Sequence, residues 1–221
     1  MDLFFSPTVS CLASRITCYE SGIHLNFVEV DPITRRTPDG KSYLEISPLA
    51  LVPALRLDDG FLLTEPAAIL KHLAALSITA NLTPLPGLDL DRLHQWLQMV
   101  GTDLHDTLST PLDQAADATA THAREFVFAS LDFLNDQLAQ RQFLLTRFSV
   151  ADAYLCSILH WTAAMKIDLA RWPAIEAYYE RMLKRPGVSR AIAEELLRTS
   201  PSPLPRRQPA RDGRQQNSRG R

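Results

Sequence analysis

The chain changes character at residues 77–88. That stretch holds Ser77, Thr79, Asn81, Thr83, Pro84, Pro86 and Gly87, a run of turn-forming residues that reads as a linker. Before it, strand-like and helix-like patterns alternate. After it, every periodic segment is helical. Such a sequence is constrained to an α/β unit followed by an all-α unit.

In the first unit, residues 1–76, the short apolar run Leu3-Phe4-Phe5 is ended by Ser6-Pro7. Residues 11–21 carry a helical stripe of Leu12, Ile16 and Tyr19, with Ser10 expected as the N-cap and Gly22 as the stop. Residues 25–30 alternate as a half-buried strand does, and a polar loop over 31–42 follows, containing Arg35, Arg36, Asp39 and Gly40. Two apolar runs, 53–57 and 61–64, flank Asp58-Asp59-Gly60, which predicts an antiparallel hairpin. Residues 65–76 read as a second helix. The order is βαβ–ββα.

The second unit, 89–197, reads as four or five helices without an internal repeat. Asp89 is expected to cap the first, whose stripe is Leu90, Leu93, Leu97, Val100, Leu104 and Leu108. Further helices are expected over 121–140, over 150–165 (apolar nearly all round, hence central), from Pro173 to a stop at Arg185-Pro186-Gly187, and over 188–197. Residues 198–221 hold four prolines and no apolar run after Leu204, so this tail is expected to be disordered.

Composition narrows the class. At 46% hydrophobic and 22% charged residues the chain is ordinary globular protein, which excludes a collagenous, coiled-coil or wholly disordered chain. The uncharged stretch from Leu73 to Leu88 is 16 residues and is broken by Pro84 and Pro86, too short for a membrane span of roughly 18 residues. Met1-Asp2-Leu3 opens without a basic stretch leading into an apolar run, so no secretory signal is expected. Three cysteines, Cys11, Cys18 and Cys156, are odd in number and lack metal-ligand spacing, which points to a reducing cytoplasm. Residues 201–221 concentrate six arginines against Asp212, leaving 17 basic against 24 acidic residues in the 200 before them. An acidic body is a poor nucleic-acid binder, and no nucleic-acid or membrane partner is expected.

Several separated segments carry a resemblance. They are Leu3-Phe4-Phe5-Ser6-Pro7, Asp39-Gly40-Lys41 followed by Tyr43-Leu44-Glu45-Ile46-Ser47-Pro48, Val52-Pro53-Ala54-Leu55, Leu63-Thr64-Glu65, and Ser149-Val150-Ala151-Asp152-Ala153-Tyr154. In this order and spacing, across nearly all of residues 1–197, the chain resembles the glutathione transferase family, the bacterial beta class in particular. The resemblance implies a thioredoxin-like N-terminal domain with a mixed sheet that binds glutathione, an all-helical C-terminal domain that shapes the site of a small hydrophobic electrophile, and a homodimer. It implies glutathione as co-substrate and no metal.

The resemblance also implies site residues. Glutathione needs a strand edge for its backbone, a cradle for its γ-glutamyl end and a means of lowering its thiol pKa. Val52 before a cis Pro53 supplies the edge, and Phe5, at the end of the first strand, is a further candidate glutathione contact. Glu65 grips the γ-glutamyl ammonium at a helix start that attracts the carboxylate. Pro66 departs from the family there, because it has no N–H to donate. Ser10 and Cys11 stand at the start of the first helix in the reverse of the usual beta-class order. Ser10 facing the sulfur would donate a hydrogen bond to the thiolate. Cys11 facing it would allow a mixed disulfide, and Cys11-Leu12-Ala13-Ser14 has a monothiol spacing. His94, Gln98, Gly101 and His105 share one stripe of the first long helix. Gln98 falls where the family reaches the neighbouring subunit's glutathione, and His105 where a histidine stands near the thiol. Asp106 replaces a lysine. Arg35 falls where the family contacts the glycyl end.

Ser149 and Asp152 form a reciprocal cap, a structural role. Cys18, Cys156 and Trp161 read as core, and Leu104, Leu108 and Trp161 are apolar candidates to line the electrophile pocket. The expected function is transfer of glutathione thiolate to the electrophile. Two alternatives stay open, a non-catalytic binding or regulatory module and a Cys11-dependent thiol-disulfide reductase.

Overall fold

Leu3, Phe4 and Phe5 lie in strand β1, Asp2–Phe5, at the centre of a mixed sheet. The computed structural model describes residues 1–7, 9–77, 79–109, 118–165 and 167–199. Strand β1 pairs in parallel with β2, Asn26–Glu29, because helix α1, Val9–Ser21, carries the chain back across the sheet. On its other side it pairs antiparallel with β3, Ala54–Arg56, which turns into β4, Leu62–Leu63. The sheet order is β2-β1-β3-β4. The hairpin closes as expected, with Gly60 at φ +89°, a conformation that L side chains rarely adopt. Gly22 ends α1 at φ +71°.

Alternation along β1 sorts the core. Leu3 points to the helical face, where it packs with Cys18, Leu55, Ile69 and Leu73. Phe4 points to the other face, with Val30, Tyr43 and Ala54. Tyr43 is held by its hydroxyl, which donates to the Leu51 carbonyl at 2.9 Å. The helical face is covered by α1 and by α2, Pro66–Leu76.

The helical unit begins with α3, Leu88–Gln98. It starts one residue before Asp89, so Asp89 sits in the first turn beside Arg92 at 2.9 Å and does not cap it. The cap position belongs to Gly87, at φ +136°. What the sequence presents as one continuous α-helix changes winding at Met99–Asp106, which is π-helical, before a short α4, Thr107–Ser109. Thr102 supplies a reason. Its hydroxyl donates to the Gln98 carbonyl at 2.5 Å and competes with the amide that an α-helix would place there. Leu93, Leu97, Val100, Leu104 and Leu108 still face inward.

Next come α5, Ala118–Leu138, and α6, Val150–Trp161, whose first ten residues are all buried, as expected of a central helix. It ends at Trp161 rather than 165, where the Thr162 hydroxyl closes on the Leu159 carbonyl at 2.7 Å. The buried Asp152 carboxylate accepts from the Ser149 amide at 2.8 Å, the Leu144 amide at 2.9 Å and the Tyr178 hydroxyl at 3.0 Å, so its role is structural.

Helix α7, Pro173–Leu183, leads into α8, Pro186–Thr199. The last helix is longer than the sequence pattern implies and takes in Arg198, the first residue of the expected tail. Arg198 pairs with Glu29 at 2.5 Å and lies over the Phe5 ring. The tail from 200 onward lies outside the described residues.

The two units share one core. Leu12, Ile16 and Leu70 of the first pack in the same cluster as Leu97, Leu104, Tyr154 and Leu155 of the second. Helix α1 is sandwiched between α2 on one side and α6 and α8 on the other. Among the described residues no helix is long and apolar enough to cross a membrane.

Candidate active site

A cleft of about 350 Å³ opens where the two units meet. From the first unit it is lined by Ser10, Leu51, Val52, Pro53, Glu65, Pro66 and Ala67. From the second come Leu97, Gln98, Gly101, Thr102, His105, Asp106 and Tyr154. Larger hollows lie at the linker (about 430 Å³) and beside Trp96 (about 600 Å³), but neither touches the start of α1 or of α2.

Ser10 is the second residue of α1, not its cap, since the helix already includes Val9. Its side chain is nearly buried yet lines the cleft, and its hydroxyl has no hydrogen-bond partner among the described residues. The amides of a helix's first turn leave partial positive charge there. Across the cleft the Val52–Pro53 bond is cis, as expected. Glu65 holds the N-cap position of α2 with φ +68° and ψ 122°, outside the regions a non-glycine residue prefers. Its carboxylate makes no cap to its own helix, and its carbonyl accepts the Ile69 amide at 3.0 Å. A strained, exposed acid at the mouth of a cleft is a candidate ligand grip. Pro66 follows as the first helical residue and has no N–H, so the first amide of α2 belongs to Ala67, which lines the cleft.

On the opposite wall, Gln98 Nε2 donates to Thr102 Oγ1 at 2.8 Å. His105 Nδ1 lies 3.1 Å from the Tyr154 hydroxyl and 3.8 Å from Asp106 Oδ1. The His105 and Tyr154 rings meet edge to face, centroids 5.9 Å apart. Burial holds the imidazole below its ordinary pKa, with Asp106 opposing that shift, so the ring is neutral at pH 7. Burial raises the Tyr154 hydroxyl far above the ordinary tyrosine range, and it stays protonated. Glu65 and Asp106 give the cleft an acidic lining without a lysine or arginine.

Seven of the ten residues singled out from the sequence are brought together here: Ser10, His105, Val52, Pro53, Glu65, Pro66 and Gln98. Three are not. Cys11 is wholly buried, one residue and about 100° further round α1 than Ser10, and does not reach the cleft. Phe5 is buried beneath Arg15 and Arg198. Arg35 is exposed on the 31–42 loop, where its carbonyl holds the Tyr43 amide at 2.8 Å. His94, a turn before Gln98 on α3, does not line the cleft, and Leu104, Leu108 and Trp161 belong to the core rather than the cleft wall.

Tyr154, Thr102 and Ala67 line the cleft without having been singled out for it. Tyr154 had a readable signal: a tyrosine inside an otherwise apolar helix needs a polar partner for its hydroxyl.

Comparison with known proteins places this geometry among relatives. Residues 10–76 match the glutathione S-transferase N-terminal domain model and residues 114–181 the C-terminal domain model. The glutathione S-transferase GstA of Escherichia coli O157:H7 is 36% identical over 203 residues, covering 90% of this chain and all of that protein. GST-4.5 of Xanthomonas campestris is 31% identical over 210 residues, covering 89% of this chain and all of that one. Among solved structures, a ternary complex of BphK, a bacterial enzyme of this kind, superposes with a TM-score of 0.83 at 33% identity, covering 88% and 99% of the two chains. A sphingomonad glutathione S-transferase complexed with glutathione gives 0.82 at 38% identity, covering 89% and 100%.

Proposed function

Because this chain belongs to the glutathione S-transferase family, we propose that its cleft binds glutathione and transfers the thiolate to a small hydrophobic electrophile. The backbone of Val52 pairs with the tripeptide. The Glu65 carboxylate takes the γ-glutamyl ammonium, and the α2 N-terminus takes the adjoining carboxylate through Ala67 N–H in place of the donor that Pro66 lacks. Ser10 donates its hydroxyl hydrogen to the sulfur. That bond and the α1 N-terminus favour thiolate over thiol. His105, neutral and at the cleft wall, donates to the sulfur or to the leaving group. With an aryl chloride the thiol proton passes to solvent, the C–S bond forms, the C–Cl bond breaks and chloride leaves. Arg35, outside the cleft, is given no part.

The single observation that carries this reading is the Ser10 hydroxyl, which stands unpartnered among the described residues at the head of α1, in one cleft with Val52 and Glu65. The relative solved with glutathione bound supports the choice of ligand. The reading is tested by turnover of 1-chloro-2,4-dinitrobenzene with glutathione. Ser10→Ala is expected to lose at least tenfold in kcat, from a hydrogen bond to a charged sulfur of roughly 1.5–3 kcal/mol. Cys11→Ala is expected to keep wild-type rates. Indifference to Ser10→Ala would remove the site assignment. Retention on immobilised glutathione with no turnover would favour the binding-module alternative, toward which the lost Pro66 donor leans. The buried Cys11 thiol argues against the reductase.

We further place the protein as a homodimer in the cytoplasm. Support comes from Phe126 and Phe133, half-exposed on α5 beside Gln98 and Met99, and from three cysteines that are all buried thiols. In such a dimer Gln98 stands between the cleft and the subunit contact.

A further inference from the structure

We propose that Thr102 is a positioning residue for Gln98: it holds the Gln98 amide on the cleft side with Oε1 open to the ligand, to accept an N–H of the γ-glutamyl ammonium. The inference rests on the reading of the cleft as a glutathione site and adds a second grip on that end of the tripeptide.

Thr102 has one hydroxyl proton, and distance fixes its place. Oγ1 lies 2.5 Å from the backbone carbonyl oxygen of Gln98. Two oxygens that close need a proton between them, and the carbonyl has none, so the threonine supplies it. Toward the Gln98 side chain, 2.8 Å away, Oγ1 is then an acceptor, and only the amide nitrogen can donate to it. Gln98 therefore gives one Nε2–H to Thr102, and Oε1, on the other arm of the planar amide, is turned away from it. Among the described residues Oε1 has no hydrogen-bond partner.

Gln98 stands on a ridge. It lines the cleft on one side and, with Met99, Phe126 and Phe133, a hollow over α5 on the other. Thr102 lines the cleft and not that hollow, so its bond keeps the amide on the cleft side. Without it the exposed glutamine side chain is free to swing over α5. What Oε1 can take in the cleft is a donor. The tripeptide backbone is already placed against Val52. The ammonium carries three N–H groups and a full positive charge, more donors than a single contact with Glu65 satisfies. Gln98 and Glu65 line the cleft from its two walls, and an acceptor opposite the carboxylate completes the set. A bond from a charged donor is also stronger than one from a neutral amide.

Calorimetry with glutathione and with glutaryl-cysteinyl-glycine, which lacks only the ammonium, tests this. Thr102→Val, alike in shape but without the hydroxyl, is expected to weaken glutathione binding roughly three- to tenfold, with kcat for 1-chloro-2,4-dinitrobenzene within about twofold. Thr102→Ser is expected to bind glutathione as wild type does. The glutaryl analogue is expected to bind wild type and Thr102→Val alike. Gln98→Met keeps the backbone carbonyl to which Thr102 donates, and in that background Thr102→Val is expected to cost nothing further. An equal loss in both backgrounds would show that Thr102 acts through the winding of the helix and would overturn the proposal. So would an equal loss with the glutaryl analogue. Should Thr102→Val fail to fold, Gln98→Met decides: it is expected to lose affinity for glutathione and not for the analogue, and undiminished glutathione binding would overturn the proposal. A wild-type protein that binds neither tripeptide would remove the glutathione reading and this inference with it. One that binds glutathione while the variants match it would remove this inference alone.

Discussion

Two histidines on this molecule are neutral because they are buried, and stability follows from that. His105 is held against Tyr154 at 3.1 Å, and His160 Nδ1 lies 2.9 Å from the Tyr179 hydroxyl. Burial lowers both pKa values below the ordinary histidine value. The unfolded chain therefore binds these protons more readily than the folded one. Their contribution is fully present above the unfolded value of about 6.5 and is lost as pH falls through the lowered folded values. Buried acids with raised values, Glu195 among them, act in the opposite sense, so the comparison is between variants. Urea midpoints taken at pH 7 and pH 5 are expected to fall less in a His105→Gln, His160→Gln double variant than in wild type. An equal fall would remove the histidines from the account.

At the scale of elements, the joint between α1 and α8 is the most closely specified. Glu20, in the last turn of α1, accepts from the Gly187 amide at 3.1 Å and from Arg185 Nε at 3.1 Å. One helix thereby caps the start of another. The approach is tight: a Cβ on Gly187 would lie 2.9 Å from the Glu20 backbone nitrogen. Gly187→Ala is expected to destabilise by about 1–3 kcal/mol, read as a lowered thermal midpoint, and unchanged stability would contradict this packing.

Not all of this was legible in the sequence. The hairpin was, because Asp58-Asp59-Gly60 between apolar runs has a local meaning that Gly60's positive φ bears out. So were the helices, because their stripes are periodic. The cleft was half legible. Ser10 and Glu65 sit at helix starts, and Gln98 and His105 share a helix face, all of which can be counted along the chain. Tyr154 meets His105 from a helix 49 residues away, and no local pattern announces that contact. Phe5 and Arg35 lie outside the cleft for a like reason, since their surroundings are set by α8 and by the course of the 31–42 loop. The change to π winding turned on one threonine bonding back to a carbonyl, which periodicity alone does not reveal.

The whole molecule behaves as one cooperative body on this account. Arg15 of α1 is buried against Glu195 of α8, a charge pair joining the two units. Removing Glu195 leaves a buried guanidinium, so Glu195→Ala is expected to destabilise by on the order of 3 kcal/mol. Arg15→Leu with Glu195→Leu is expected to recover much of that loss. The shared core further implies one unfolding transition. Fluorescence of the three tryptophans, all in the helical unit, and thiol trapping at Cys11 and Cys18 in the first unit are expected to give the same urea midpoint. Separate midpoints would divide the body in two.

The cleft exists because the two units are locked, and its central property is a serine hydroxyl offered to a sulfur. That property is tested most directly by ultraviolet titration of the thiolate of bound glutathione in wild type, Ser10→Ala and Cys11→Ala. The account predicts a thiol pKa depressed in wild type and in Cys11→Ala and raised back toward the free value in Ser10→Ala. The same depressed value in all three proteins, or its loss in Cys11→Ala alone, would contradict it.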